Sequence, residues 1–374
     1  MKFIHIADLH IGKKLKEMNL EEDQRFILKQ IAAIARDENA DAVLIAGDVY
    51  DSGSPNGESS LLLDEFLTEL LGSGIEIFMI SGNHDSPEKL SFGSRIFDRA
   101  GLHICSIFDG KLDKFTLEKN GGSVDVFMLP FIRPVNVSRI YRDEKISSFG
   151  DAVGSAISHT DLSGNNKKIL ITHQFVSGTS SPQMSDSESA YVGTAEMMPY
   201  ALFDRFDYVA LGHLHIPQSV ERETVRYSGS PLKYSTSECS KDKSVTLIEI
   251  GDDVNVTEVP LKPLRDLKVI KGPLDRLLAE GKRSENKEDF YHVRLEDDPL
   301  DPMQKLRDVY PNVISLEILP KGNGDVGEID EEHFEKIDFE ERFNEFFRSR
   351  MSGKEMSEEQ KEAVRDSMRE AGLI

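Results

Sequence analysis

Short apolar runs and amphipathic stretches alternate along the first hundred residues. The apolar runs of strand length lie at residues 2–7, 42–46 and 75–80. Residues 20–38 and 59–71 carry apolar side chains at helical spacing instead. Strands that alternate with helices in this way predict a largely parallel sheet with helices on both faces.

Strand-like segments become more frequent after residue 110. They lie at residues 114–117, 124–129, 168–172, 207–211, 224–227, 244–250 and 254–259. This series predicts a second sheet. Residues 176–198 separate two of the strands and contain Gly, Ser and Thr throughout. A loop of that length inside a compact domain indicates a functional flap.

The pattern changes again near residues 260–263, where two prolines predict a domain boundary. Beyond it, strand and helix patterns alternate over a short stretch, and a glycine-rich segment with the composition of a linker follows. The predicted organisation is a main domain (residues 1–262), a small α+β capping domain (263–320), a linker (321–337) and a C-terminal helix–loop–helix (338–374).

The C-terminal segment places aromatic side chains on one predicted helical face. They are Phe339, Phe343, Phe346 and Phe347. Ser357 and Gln360 have the spacing of a capping box for the last helix. Two interpretations stay open: a tail that folds back on the main body, and a module that docks on another protein, which we favour.

Composition favours a cytoplasmic protein without membrane attachment. The 374 residues are 39% apolar, and no uninterrupted apolar stretch reaches the 18 residues of a membrane span. The first apolar run is too short for a signal peptide. Cys105 and Cys239 are too few for a disulfide framework, and we expect both to be buried in a reducing compartment.

Five polar phrases follow predicted strands. They read Asp8-Leu9-His10, Gly47-Asp48, Gly82-Asn83-His84-Asp85, Thr172-His173 and Gly212-His213-Leu214-His215. A single Asp-x-His or Gly-Asp is common, but the ordered set is rare. Carboxylates, an amide oxygen and imidazoles together suit divalent transition metals. Because α/β sheets bind ligands at the carboxyl ends of their strands, the set predicts a two-metal site.

The net charge of −22 argues against a free-standing nucleic-acid-binding protein, because Lys and Arg make the phosphate contacts. Two features offset this argument. Two divalent cations would add four positive charges, whereas Asp8 and Asp48 remove only two. Residues 321–374 are also acidic, with 16 Asp and Glu against 9 Lys and Arg.

The five phrases in this order resemble the calcineurin-like metallophosphoesterase superfamily. The sequence around them is similar to one branch, the bacterial SbcD-type nucleases, relatives of the double-strand-break repair nucleases of archaea and eukaryotes. The phrases that carry this second resemblance are Phe3-Ile4-His5-Ile6-Ala7-Asp8-Leu9-His10-Ile11-Gly12, Ser81-Gly82-Asn83-His84-Asp85-Ser86, Tyr208-Val209-Ala210-Leu211-Gly212-His213-Leu214-His215 and Tyr227-Ser228-Gly229-Ser230-Pro231-Leu232. The resemblance implies a two-sheet sandwich flanked by helices for the main domain.

The resemblance also implies how the metal ligands divide. One ion would be held by Asp8, His10, Asp48 and His215, and the other by Asp48, Asn83, His173 and His213. Asp48 bridges because a carboxylate has two oxygens. The family prefers Mn²⁺, although the mixed donors also suit Fe²⁺ or Zn²⁺, and Mg²⁺ stays open. Two such ions would lower the pKa of a shared water and direct it at phosphorus as hydroxide.

His84 is the imidazole of these phrases that the resemblance does not assign to a metal. We expect it to face the substrate and, as an imidazolium, to protonate the leaving 3′-oxygen or stabilise the transition state. We expect Asp85 to orient the His84 ring and raise its pKa. The alternative is that His84 only caps its loop.

One departure from the archaeal and eukaryotic relatives limits what can be transferred. They have a second substrate-side histidine after the Gly-Asp phrase, where this chain has Val49-Tyr50-Asp51. No role of that histidine is therefore assigned to this chain. Lys13, Lys14 and Arg133 flank the motif loops, and they either contact DNA phosphates or belong to the solvated surface.

The leading hypothesis is a Mn²⁺-dependent DNA nuclease of DNA repair and recombination. It would act as a 3′→5′ exonuclease on duplex ends and as an endonuclease on hairpins and single strands. The main alternative is another calcineurin-like phosphoesterase, acting on a nucleotide or a phosphoprotein. A scaffold that has lost its metals is a third hypothesis, which the intact ligand set argues against.

The resemblance implies two kinds of partner besides DNA. One is a SbcC-type coiled-coil ATPase docked by residues 338–374, since the chain itself has no Walker motif. The other is a second copy of the chain, within a heterotetramer, paired through helices near residues 59–71 and 86–100. The candidate contacts are Leu61, Leu62, Ile96 and Phe97, with burial in the core as the alternative for each.

Overall fold

The computed structural model describes residues 1–119, 121–188 and 196–319, with Arg348 and residues 356–358, 360–362 and 364–365. The chain divides into two compact units, Met1–Leu319 and Pro320–Ile374. The predicted linker lies outside the described residues, as do the four phenylalanines of the C-terminal segment. The domain boundaries at residues 263, 321 and 338 stay predictions.

Most strands of the first unit lie where the sequence predicts them and differ mainly at their ends, but the sequence does not predict the strands at residues 14–15, 18–19, 102–105, 176–177, 198–199 and 218–220. Along the described chain they are β1 (Lys2–Ile6), β2 (Lys14–Leu15), β3 (Met18–Asn19), β4 (Ala42–Ala46), β5 (Glu76–Ile80), β6 (Leu102–Cys105), β7 (Asp113–Lys119), β8 (Gly122–Leu129), β9 (Lys167–His173), β10 (Val176–Ser177), β11 (Met198–Pro199), β12 (Tyr208–Gly212), β13 (Gln218–Val220), β14 (Arg222–Tyr227), β15 (Ser244–Ile250), β16 (Val254–Pro260), β17 (Leu267–Gly272), β18 (Phe290–Leu295) and β19 (Val313–Ile318).

The helices of this unit include two long ones at the positions predicted from helical spacing. In chain order they are α1 (Glu21–Asp37), α2 (Gly57–Gly72), α3 (Pro87–Leu90), α4 (Ser94–Phe97), α5 (Pro134–Ile140), α6 (Phe149–Ser158), α7 (Leu274–Arg283) and α8 (Pro302–Arg307). Single 3₁₀ turns lie at Asp98–Ala100, Tyr200–Phe203 and Thr236–Glu238.

Two six-stranded sheets form the main part of the first unit. The first has the order β16-β15-β1-β4-β5-β6, and β1, β4, β5 and β6 are parallel neighbours. The second has the order β13-β14-β12-β9-β8-β7, and its four central strands are parallel. Antiparallel strands close the remaining edges. The predicted two-sheet architecture is confirmed.

The sheets pack face to face, with helices on the outer faces. Phe3 and Leu44 of the first sheet meet Val126 and Ile169 of the second in one apolar layer. Alternate residues of the first sheet pack on α1 and α2, and those of the second pack on α5 and α6. The result is a helix–sheet–sheet–helix sandwich, which explains why the central strands are apolar on both faces.

The region predicted as a capping domain has its own small core under a three-stranded sheet. The strands β17, β18 and β19 are all parallel, with α7 and α8 as the crossovers. The structure therefore refines the expected α+β organisation to a parallel βαβαβ unit. Arg265 pairs with the buried Asp23 of α1, and Lys233 Nζ lies 2.8 Å from Asp266 Oδ1. These pairs attach the cap to the main sandwich.

Several other expectations can be checked against the described residues. The Ser357 amide donates to Gln360 Oε1 (3.0 Å) and the Gln360 amide donates to Ser357 Oγ (3.3 Å), which confirms the capping box. Cys105 is buried as expected, but Cys239, which follows the 3₁₀ turn Thr236–Glu238, is only half-buried. Across the described part of the chain, no helix is both long and apolar enough to cross a bilayer.

His5 is a polar side chain buried between the two sheets. Its Nε2 donates to the carbonyl oxygen of Leu211 (3.1 Å), so its Nδ1 accepts from the hydroxyl of Tyr208 (3.0 Å). Burial, reinforced by the charge of Arg226, lowers the pKa of His5 to about 3. The folded protein therefore keeps this ring neutral at pH values where the unfolded chain protonates it.

This difference predicts a pH-dependent loss of stability. Below pH 6.5 His5 binds a proton in the unfolded chain but not in the folded protein. The free energy of unfolding therefore falls by up to about 1.4 kcal/mol per pH unit until the pKa of folded His5 is reached. The variant His5→Gln cannot titrate and should lack this component. Urea unfolding of metal-free protein from pH 7.5 to 4.5 would measure both slopes, and equal slopes would contradict the prediction.

Candidate metal centre

The five polar phrases meet at one edge of the sandwich. They follow or end β1, β4 and β5 in the first sheet and β9 and β12 in the second. Since these strands are parallel within each sheet, their carboxyl ends lie at the same edge. The fold thus brings together side chains that are up to 207 positions apart, from Asp8 to His215.

Two glycines in the phrases are required by close approaches between loops. A Cβ on Gly212 would lie 1.9 Å from the carbonyl oxygen of Ala46, and a Cβ on Gly82 would lie 2.1 Å from Asp48 Oδ1. Both distances are far below van der Waals contact. Glycine at position 212 lets the end of β12 touch the end of β4 in the other sheet, and glycine at position 82 lets two neighbouring loops of the first sheet touch beside Asp48.

The backbone at the site is strained. Asp8, His10, Asp48 and His213 have φ values of 54°, 44°, 48° and 106°, although none is glycine. Left-handed backbone of this kind costs on the order of 1–3 kcal/mol per residue and persists only where the surroundings enforce it. Four instances among the predicted ligands indicate that these side chains are aimed at a common point.

The side chains of Gln24 and Tyr234 hold the main chain of the loop that carries Asp8 and His10. Gln24 Nε2 donates to the His10 carbonyl oxygen (2.8 Å), and Gln24 Oε1 accepts from the Gly12 amide (3.0 Å). The Tyr234 hydroxyl donates to the Leu9 carbonyl oxygen (2.5 Å). The main-chain groups of Leu9, His10 and Gly12 are thereby held in place, which leaves the side chains of Asp8 and His10 available to the site.

One half of the site groups His10, His215 and Asp48. The Nε2 atoms of His10 and His215 are 3.1 Å apart, and His10 Nε2 lies 3.6 Å from Asp48 Oδ2. The main-chain amide of His213 donates to Asp8 Oδ1 (3.0 Å), which places this carboxylate beside them. The side chains of these four residues, Asp8, His10, Asp48 and His215, are all buried.

The other half groups the remaining ligands around Asn83. His173 Nε2 and His213 Nδ1 each lie 3.0 Å from Asn83 Oδ1. His173 Nε2 is also 3.4 Å from Asp48 Oδ2, so Asp48 touches both halves. The structure therefore brings all seven predicted ligands together, with Asp48 between the groups. Their division between two ions stays a prediction.

The donor set fits divalent cations. His173 Nδ1 donates to the Ala46 carbonyl oxygen (2.8 Å), so the neutral ring presents a lone pair at Nε2 to Asn83 Oδ1, which is also an acceptor. Two acceptors at this distance repel each other unless a proton or a cation lies between them. Ligand atoms of Asp8, His10 and His215 lie within 4.8 Å of one another, and so do those of Asp8, Asp48 and His173.

Burial dominates the acid–base properties of the site without a cation. It raises the pKa of Asp8 to about 7 and lowers the pKa values of His10 and His213 to about 4 and about 3. For Asp48 and His173, mutual attraction outweighs burial. The pKa of Asp48 is held well below its usual range and that of His173 is raised to about 9. Cation binding would therefore displace the His173 proton.

The outer nitrogens of three ligand rings face oxygen acceptors. His10 Nδ1 lies 3.4 Å from Asp51 Oδ1, and His215 Nδ1 lies 3.5 Å from Glu238 Oε1. His173 Nδ1 uses the Ala46 carbonyl in the same way. The hydrogen bond to Ala46 fixes the His173 tautomer that leaves Nε2 for a metal, and the carboxylates at ion-pair distance from His10 and His215 favour the same tautomer in those rings.

Sequence reasoning missed several of these supporting residues. Glu238 and Lys243 lie in a polar stretch without periodicity, and nothing in the sequence marks them. Glu188 lies in the predicted flap, and its carboxylate accepts from the His215 amide. Gln24 did carry a signal, because it is a polar residue on the apolar face of α1.

Asp85 has a different role from the one expected. Its Oδ2 accepts from the amides of Gly82 (2.8 Å) and Val49 (3.1 Å), and its Oδ1 accepts from the Tyr50 amide (2.9 Å). The His84 ring is oriented instead by the Asp51 carbonyl oxygen, 3.1 Å from its Nδ1. The expectation that Asp85 orients this ring is thus corrected, because its carboxylate binds two loops together.

The structure also shows where the other candidates lie. Ligand atoms of His84 come within 4.8 Å of those of His10 and Asp48, so its role as a non-ligand stays a prediction. Lys13 Nζ pairs with Asp51 Oδ1 (2.8 Å), whereas Lys14 is exposed on β2. The guanidinium of Arg133 lies over the Phe131 ring, 5.7 Å from its centroid.

Comparison with known proteins gives consistent matches over most of the chain. Residues 1–217 match the calcineurin-like phosphoesterase family, and residues 263–351 match the type 5 capsule protein repressor C-terminal domain. The SbcD component of the nuclease SbcCD from Staphylococcus epidermidis is 38% identical over 324 residues, which cover 84% of this chain and 85% of that protein. A dimetal phosphatase from Danio rerio has a TM-score of 0.41 and 13% identity, over 71% of this chain and 98% of that chain, a likeness too weak to support an argument.

The contact at Gly212 predicts a specific defect in the variant Gly212→Ala. The added methyl group must push β12 away from Ala46, so we expect a loss of about 1–3 kcal/mol in the free energy of unfolding, together with loss of bound metal. Urea unfolding and elemental analysis of Mn²⁺-loaded protein would measure both. The matched control is Gly72→Ala, where a Cβ meets no atom of the described structure within 4 Å. Parental metal content in Gly212→Ala would refute the prediction.

Proposed function

Because the chain belongs to the calcineurin-like phosphoesterase family, in its SbcD-type nuclease branch, we propose that it is a Mn²⁺-dependent DNA nuclease. It acts as a 3′→5′ exonuclease on duplex ends and as an endonuclease on hairpins and single strands. The observation that carries the proposal is the convergence of Asp48 with four imidazoles and Asn83 at one buried edge. A relative named as a component of a nuclease supports DNA as the substrate.

The ligands proposed for the first cation are Asp8, His10, Asp48 and His215, and those for the second are Asp48, Asn83, His173 and His213. When bound, two divalent cations lower the pKa of a shared water and neutralise charge on the phosphoryl oxygens. Mixed nitrogen and oxygen donors of intermediate hardness favour Mn²⁺, with Fe²⁺, Zn²⁺ and Mg²⁺ as the other ions to test.

His84 is the residue we assign to proton transfer. Its Nδ1 donates to the Asp51 carbonyl oxygen, so the second proton of the imidazolium is carried by Nε2. This proton is the one that would pass to the leaving 3′-oxygen. Asp85 supports the reaction indirectly, since it ties the loop of His84 to the loop that follows Asp48.

DNA binding must be reconciled with a net charge of −22. The cations supply positive charge at the site, and the proposed ATPase partner of the SbcC type supplies the rest of the DNA-binding surface. We assign the docking of this partner to residues 338–374, on the basis of the aromatic helical face that the sequence predicts for Phe339, Phe343, Phe346 and Phe347. The complex is expected in the cytoplasm.

A homodimer is the second assembly we propose. Leu62 is buried in the core under α2, which removes it from the candidate contacts. Leu61, Ile96 and Phe97 are 62%, 74% and 40% exposed, and the nearby Phe92 is 82% exposed. Large apolar side chains at this exposure on α2, on α4 and on the turn before α4 favour a surface that a second copy covers.

The nuclease proposal is tested with hairpin and blunt duplex DNA in the presence of Mn²⁺. The parent should cut both. His84→Gln should bind two ions in calorimetry yet cut roughly 10²–10⁴-fold more slowly, because only the proton donor is lost. Asp48→Asn should lose metal as well as cleavage. His103→Gln, a histidine substitution away from the site, should leave the rate unchanged.

Two outcomes would reverse these assignments. Parental cleavage by His84→Gln would remove His84 from the mechanism. Hydrolysis of bis-p-nitrophenyl phosphate without DNA cleavage, with and without an ATPase partner, would favour the alternative of a nucleotide- or phosphoprotein-directed phosphoesterase.

The dimer proposal predicts that Ile96→Glu converts a dimer into a monomer in sedimentation velocity, because an exposed charge cannot be buried against a second copy. Metal content should be unchanged. The matched control is Leu300→Glu, on the cap, where the parental side chain is 83% exposed. A monomeric parent, or a dimeric Ile96→Glu, would exclude this surface.

A further inference from the structure

Two oppositely charged side chains are buried together beside His215. Glu238 and Lys243 are 0% and 5% exposed, and Lys243 Nζ donates to Glu238 Oε2 at 2.6 Å. Neither residue belongs to the five polar phrases. A buried ion pair contributes little net stability to a fold, because well-packed apolar residues of similar volume stabilise the folded protein as well or better. Its presence here therefore points to another role.

The pair holds His215 at two points. Lys243 Nζ donates to the His215 carbonyl oxygen at 2.8 Å, and Glu238 Oε1 lies 3.5 Å from His215 Nδ1. Ser230 Oγ donates to Glu238 Oε2 (3.2 Å) and accepts from Lys243 Nζ (2.8 Å), which completes a closed polar cluster. Lys243 thus holds the backbone of the ligand by a hydrogen bond, and the Glu238 carboxylate, at ion-pair distance, favours a proton on Nδ1 of its ring.

A second buried carboxylate, that of Glu188, holds the main-chain amide of His215. Glu188, 4% exposed, accepts a hydrogen bond from the His215 amide. The hydroxyls of Ser185 and Ser187 in the same segment donate to Glu238 Oε1 at 3.5 Å and 3.2 Å. Residues 185–188 are therefore part of the support behind this ligand.

We propose that Glu238, Lys243 and Glu188 are positioning residues that set the affinity of the Asp8–His10–His215 cluster for its cation. The proposal rests on the metal site of the proposed function. Fixing the ring tautomer and the backbone of a ligand keeps its Nε2 directed at the ion, and loss of such support typically weakens binding 10–100-fold.

We expect loss of this support to weaken the cation bound at the Asp8–His10–His215 cluster and not the one bound around Asn83. Among the ligands around Asn83, His173 has a different support, since its Nδ1 is held by the Ala46 carbonyl oxygen rather than by the Glu238 cluster. Removing Glu238 should therefore weaken one ion and spare the other. A defect in folding alone would weaken both.

The test is a Mn²⁺ titration of metal-free, full-length protein, followed by calorimetry and by electron paramagnetic resonance. The parent should bind two ions. Glu238→Gln should bind one of them 10–100-fold more weakly and the other within about threefold of the parent. Asp125→Asn is the matched control, because Asp125 is also buried and pairs with a lysine, Lys114, at 2.9 Å. It should bind both ions normally.

A double variant keeps the test decisive if Glu238→Gln does not fold. Glu238→Leu with Lys243→Met removes both charges, so folding should recover while the selective weakening remains. Recovery of parental affinity for both ions in the double variant would show that the pair is only structural. Equal weakening of both ions in a folded variant would also overturn the proposal. No nucleic acid is used, so a parent that binds two ions but cuts no DNA would refute the proposed function alone.

Discussion

The carbonyl oxygen of Ala46 joins the two sheets at the edge where the site lies. It accepts the Nδ1 proton of His173, and it lies where a Cβ on Gly212 would be 1.9 Å away. One atom of the first sheet thus fixes a ligand and a strand end of the second. Asp48 follows two residues later, so its distance from the imidazoles depends on this contact.

Forming the site costs free energy, which the packing of the surrounding sandwich must offset. Four predicted ligands have left-handed backbone, and the buried acids and imidazoles lose their hydration. Each cost has a local counterpart: Asp85 accepts from three amides, and Gln24 holds the main chain at His10. Strain is retained here because the packed sheets leave these loops no alternative arrangement.

Sequence alone predicts most of the strands and a candidate set of ligands, because apolar runs and the polar phrases after them are local signals. It misses the short edge strands β6 and β13. It does not predict the support behind the ligands. Glu238 reaches His215 only through the tertiary fold, and Asp85 binds backbone amides although it adjoins His84. Helix α6 is missed for another reason: its capping box of Ser148 and Asp151 is present, but its apolar pattern is short.

Helix α1 connects the cap to the ligand loop through two consecutive residues. Asp23 pairs with Arg265 of the cap, and Gln24 donates to the His10 carbonyl oxygen. A rotation of the cap about residue 263 must either break the Arg265 pair or carry α1 with it. In the second case the movement of α1 is passed on to the His10 loop through Gln24. A displacement of Arg265, 255 positions away in sequence, would then change the direction of the His10 side chain.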